Sequence, residues 1–182
     1  MSITAPMIRQ FLPALLAVLL LFAGMASANS IDPFLGSFEG NAEFDDNGKT
    51  QRRDMSVEIT ETDKGFSVSW TSVSYKSDGR TKENSYTIAF LPSERDNIFA
   101  SAVKSNVFGK LVPLDPLKGE PFVWSRIEGD TLTLFSLFID ENGDYEMQEY
   151  HRTLADGGLE LKFRRMSNGI EVRTIETFLT RK

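Results

Sequence analysis

The stretch GSFEGNAEFDDNG, residues 36–48, decides the fold. Phe38, Gly40, Ala42 and Phe44 alternate with Ser37, Glu39, Asn41 and Glu43, and the run stops at Asn47-Gly48. Strict alternation is the signature of a strand with one apolar and one wet face, and Asn-Gly reaches the positive φ that a tight hairpin requires. The same pattern returns along the chain. Met55, Val57 and Ile59 run to Asp63-Lys64-Gly65, Phe66, Val68 and Trp70 to Asp78-Gly79, and Tyr86, Ile88 and Phe90 to Pro92. Phe122 and Trp124 lead to Glu128-Gly129-Asp130, Leu132 and Leu134 to Asn142-Gly143, and Tyr145 to Leu154 end at Asp156-Gly157-Gly158. Leu159, Leu161 and Phe163 then run to Asn168-Gly169, with Ile170 to Leu179 last.

That is about ten strands at the spacing of an all-β fold, in the order of a meander. Helical periodicity is almost missing after residue 28. So many antiparallel strands with one apolar face each must close or stack as two sheets. Short connections between neighbours favour closure, and the fold class predicted is an antiparallel up-and-down barrel. One connection is long and oily: Lys104 to Glu120, with Phe108, Leu111 and Leu114. Loops of that length cap or bind something, and the residues leave open whether this one is a lid or a plug.

Residues 1–28 stand apart. Arg9, the apolar run Phe11 to Ala23 and the small residues Ala26-Ser27-Ala28 read as a cleavable secretory signal, shorter than the roughly 20 residues a membrane span needs. The expected domain is therefore 29–182, starting at Asn29, exported to the periplasm or beyond and without stable membrane insertion. The chain has no cysteine, so neither a disulfide nor a lipid-bearing cysteine is available, and the core alone must stabilise the fold. Loss of Arg9 leaves 19 basic against 26 acidic residues, and the interspersed signs give no basic stripe for nucleic acid.

The opening Asp32-Pro33-Phe34-Leu35-Gly36-Ser37-Phe38 and the meander that follows resemble the calycin barrels, the lipocalins and fatty-acid-binding proteins. Phe38 stands where lipocalins generally have Trp, and neither Arg173 nor Arg181 is followed by the Tyr of the fatty-acid binders' Arg-x-Tyr ending. The resemblance implies a barrel able to enclose an apolar or amphipathic small molecule. A filled barrel acting as a structural or interaction module is the alternative.

Polar residues in phase with the apolar faces are the candidate site, because an uncompensated buried charge is costly. Taking Phe122, Trp124 and Met147 as inward, that phase brings Ser72, Ser74, Arg126, Glu149, His151 and Arg165 toward the interior. The predicted ligand site is Trp70, Trp124, Arg126, Glu149, His151 and Arg165, the arginines meeting an anionic head. His151 is the single histidine. Haem-binding members of the calycin-like barrels use one axial histidine, but no second histidine, cysteine or attachment motif accompanies this one, so no cofactor is implied. Asp140-Glu141-Asn142-Gly143-Asp144 reads as a hairpin turn in place of a calcium loop, because strand residues follow where a bidentate Glu would be needed. Serine nucleophile elbows and phosphate-cradling glycine loops are missing, and no enzymatic activity is expected.

Overall fold

The computed structural model describes residues 30–45, 48–76, 78–101, 104–105, 111–112 and 114–182. The expected signal 1–28, its cleavage site, the start at Asn29 and Phe108 lie outside the described residues, and the Leu111 side chain is likewise undescribed.

The strands are β1 Gly36–Asp45, β2 Thr50–Thr62, β3 Gly65–Tyr75, β4 Thr81–Pro92, β5 Ile98–Ser101, β6 Lys104–Ser105, β7 Leu111–Val112, β8 Phe122–Glu128, β9 Thr131–Ile139, β10 Tyr145–Ala155, β11 Gly158–Ser167 and β12 Ile170–Arg181. Ten of them close into one antiparallel barrel in the order β1-β12-β11-β10-β9-β8-β5-β4-β3-β2. The predicted meander is thus the observed topology. Its one skipped step, β5 to β8, is the long connection, where β6 and β7 pair only with each other. The rest of that connection includes a 3-10 turn over Pro116–Lys118.

Hairpin chemistry sets the registers. Asn168 and Gly169 both take positive φ, 49° and 79°, so Ser167 faces Ile170 across a two-residue loop. A tight loop of that kind matches the right-handed twist of its strands. At the seam, β1 meets β12 with Phe38 opposite Arg181, and Gly40 lies so close to the Phe178 carbonyl that no Cβ fits between them. Arg181 reaches past the sheet edge: Nη1 donates to the Leu35 carbonyl at 2.6 Å and Nη2 to that of Pro33 at 2.9 Å. The guanidinium also covers the Phe38 ring at 4.5 Å. It therefore ties the 3-10 turn Asp32–Phe34 across the barrel bottom.

The interior divides by height. At the bottom, where β1 begins, β12 ends and the short Gly129-Asp130 loop lies, Phe34, Phe38, Ile59, Phe66, Phe90, Leu132, Leu159 and Leu179 are buried and packed in one cluster. Phe66 stacks on Phe90 at 5.2 Å and meets Phe99 edge-on at 5.0 Å. Toward the opposite mouth the inward positions turn aromatic and polar.

Candidate functional site

Six strands supply the polar half through their inward alternation. On β10 the inward residues are Glu146, Gln148, Tyr150 and Arg152; on β11, facing them, are Arg165, Phe163 and Leu161. On β12 Arg173 stands opposite Arg165, immediately before a register shift in which Val172 is skipped. On β2 Arg53 and Met55, on β3 Trp70 and Ser72, and on β4 Asn84 and Tyr86 complete the wall.

Except for Glu146, which lies beside it, these residues line a cavity of about 250 Å³, whose walls include Arg53, Arg152, Arg165 and Arg173 together with Trp70, Tyr86, Tyr150 and Phe163. A polar ladder climbs the inner face of β10. The Tyr150 hydroxyl donates to Gln148 Oε1 at 2.8 Å, Gln148 Nε2 donates to Glu146 Oε1 at 2.5 Å, and Glu146 Oε2 lies 3.5 Å from Arg165 Nε. Near the mouth, Arg53 and Arg173 both lie over the ring of Phe44, at 5.2 and 5.5 Å. Arg152 is deepest. It is 2% exposed, its Nη1 donates to the Tyr150 carbonyl at 3.5 Å, and its Nε has no acceptor. Burial pushes its pKa down to about 10, so it is still charged at neutral pH, and the same burial raises the Tyr150 phenol.

A second cavity of about 260 Å³ adjoins the first and shares Trp70, Tyr86, Gln148 and Tyr150 as walls. Its other walls include Ile88, Pro121, Val123 and Leu134. The partition is aromatic: Trp70 stacks on Tyr86 at 5.3 Å and meets Tyr150 at 5.7 Å, while Tyr150 meets Phe163 at 4.9 Å.

Of the six residues predicted from sequence, Trp70 and Arg165 line the cavity. The other four do not. Trp124 lies on the outer face, stacked on Phe135 at 4.9 Å, and Arg126 is exposed and paired with Glu128 at 2.9 Å. On β8 the inward residues are Val123, Ser125 and Ile127, so the phase read from the bulky Phe122 and Trp124 is inverted. Glu149 and His151 also point outward, because β10 sends Gln148, Tyr150 and Arg152 inside. An axial role for His151 toward a lumenal haem is thereby excluded on geometry. Of the other polar positions, Ser72 lines the cavity.

On the outer face, five residues form an ordered relay. His151 Nδ1 lies 3.1 Å from Thr133 Oγ1, His151 Nε2 lies 2.9 Å from Glu149 Oε2, and Arg164 bridges Glu149 at 3.1 Å and Glu171 at 2.8 Å. Hydrogen bonding to Glu171 and the Glu149 charge hold Arg164 above its usual pKa; Glu171, bonded by Thr174 and Arg164, is held below its own. Hydroxyl, imidazole and carboxylate in line is the order of a nucleophile relay. Here the hydroxyl is walled in: Thr133 is 3% exposed, in the middle of a strand. The set cross-links β9, β10, β11 and β12.

The Asp140 turn behaves as predicted. Asp140 Oδ1 accepts from the backbone N–H of Asn142 at 2.8 Å and of Asp144 at 3.0 Å, so its oxygen serves the hairpin. Among the described residues no group of three or more His, Cys, Asp or Glu is placed to hold a metal ion, and no helix is long and apolar enough to cross a membrane.

No family model matches this chain, and no curated protein matches it significantly. The class that fold and site define is a closed ten-stranded antiparallel β-barrel with an arginine- and aromatic-lined cavity in one half.

Proposed function

We propose that this protein is an exported, calycin-like binding protein that holds an apolar or amphipathic small molecule inside its barrel. The observation that carries the reading is the cavity of about 250 Å³ in the mouth half, walled by both arginines and aromatic rings. Binding sites for small molecules are concave, largely apolar, and carry a few placed polar groups, and this cavity has both kinds of wall. The outer faces of β1 and β2 carry Ser37, Glu39, Asn41, Glu43, Ser56, Glu58 and Thr60 in alternation, which suits water and not lipid.

The two tryptophans provide the test, since Trp70 walls both cavities and Trp124 is outside. Titration of the Trp124→Phe variant with medium-chain fatty acids and matched alcohols should give a saturable change in emission. The Trp70→Phe variant should give none. A signal that follows Trp124, or no saturable change in either variant, would contradict the reading. A filled-barrel interaction module is the second reading, favoured by the apolar strip Phe122, Trp124 and Phe135 on the outer face.

A further inference from the structure

The mouth cavity is lined by arginines. Arg53, Arg152, Arg165 and Arg173 line it, and none of its described lining residues is an aspartate or a glutamate. Glu146, beside it, reaches Arg165 only at 3.5 Å and gives its other oxygen to Gln148. Among the described residues Arg152 meets no carboxylate; its guanidinium lies 5.6 Å over the Tyr150 ring, its one hydrogen bond there is the long one to the Tyr150 carbonyl, and its Nε is unmet. A buried guanidinium with donors unmet is a costly arrangement unless something anionic fills the space it faces.

We propose that the ligand is an amphipathic dianion, with a compact doubly charged head between Arg152 and Arg165 and an apolar tail passing the aromatic partition into the second cavity. The proposal rests on the binding reading and specifies the ligand class. Two guanidinium forks presented to one small space match the several acceptor oxygens of a phosphate monoester or a geminal dicarboxylate better than one carboxylate. Arg53 and Arg173 lie over the Phe44 ring at the mouth. The tail is assigned by adjacency: the second cavity shares four walls with the first and is otherwise bounded by residues such as Ile88, Pro121, Val123 and Leu134.

The test is calorimetric titration of the purified protein at pH 8 with octyl phosphate, octylmalonate, octanoate and octanol. Either dianion should bind at least about tenfold more tightly than octanoate, and octanol more weakly still. The ranking of octyl phosphate against octylmalonate tells which head chemistry fits. Arg152→Met and Arg165→Met should each weaken the better dianion by about 10- to 100-fold while moving octanol less than about twofold, and Arg165→Lys should lose part of the affinity because the fork is gone. Arg126→Met, on the outer face, should change nothing. Octanoate binding as tightly as both dianions, or dianion affinity unchanged in Arg152→Met, would overturn the dianion assignment and leave the binding reading standing. Failure of all four probes to bind would overturn both.

Discussion

Trp70 and Tyr150 meet across the lumen, their ring centroids 5.7 Å apart, although β3 and β10 are not neighbours in the barrel. The contact therefore joins opposite walls and narrows the way from the mouth cavity to its apolar neighbour, both of which the two rings line. Replacing Tyr150 by Ala removes both the ring and the hydroxyl that donates to Gln148 at 2.8 Å. We expect a stability loss of about 3–5 kcal/mol by chemical denaturation. The two cavities should merge, and the alkyl chain length that binds best should increase. An unchanged chain-length preference would count against the partition.

Arg152 makes a prediction of opposite sign. It is 2% exposed and without a carboxylate partner, so the apo protein carries the cost of burying its charge. Arg152→Met should raise apo stability by roughly 2 kcal/mol. The pH dependence has a definite direction. The folded-state pKa, about 10, lies below the ordinary arginine value, so between the two the unfolded chain binds more protons and the wild type gains stability with rising pH. The deficit of wild type against variant should be constant below pH 10 and shrink above it. A variant that is less stable at neutral pH would assign Arg152 a structural role.

The strands, their order and the closure were legible because alternation and hairpin residues recur with little interruption. The phase of β8 was not, because both of its faces carry apolar residues: Phe122 and Trp124 on one, Val123 and Ile127 on the other. Size misleads there, since the largest rings cover the outside. The correction is itself written in the sequence. A two-residue loop at Gly129-Asp130 sets Ile127 opposite Leu132 and Ser125 opposite Leu134, so inward Leu132 and Leu134 force Arg126 outward. The hairpin at Asn142-Gly143 likewise sets Tyr150 opposite Leu134 and Arg152 opposite Leu132. Register thus places Arg152 in the lumen, where residue type alone would keep it out. Arg165 and Trp70 were found because β3 and β11 have one clearly apolar face.

The seam predicts a backbone effect. A side chain at Gly40 would collide with the Phe178 carbonyl of β12, and strands of two sequence ends must meet there for the barrel to close. Gly40→Val should cost about 3 kcal/mol or more in denaturant unfolding and loosen amide protection on β1 and β12 first. Protection lost first on β9 and β10 would contradict this.

His151 should matter for stability and not for ligand. It bridges Thr133 and Glu149 on the outer face at 3.1 and 2.9 Å. His151→Ala is expected to lower stability by about 1 kcal/mol. Affinity for any lumenal ligand should stay within about twofold, and a larger loss in a titration would mean that the outer network positions the β10 ladder.

The central claim is that the mouth cavity holds a small molecule, and the most direct measurement is a native mass spectrum of the protein purified from its own host without denaturation. The account predicts a bound species of defined mass, retained by wild type and Arg126→Met and depleted in Arg152→Met and Arg165→Met. Apo protein alone in every preparation, or an adduct indifferent to Arg152 and Arg165, would contradict it.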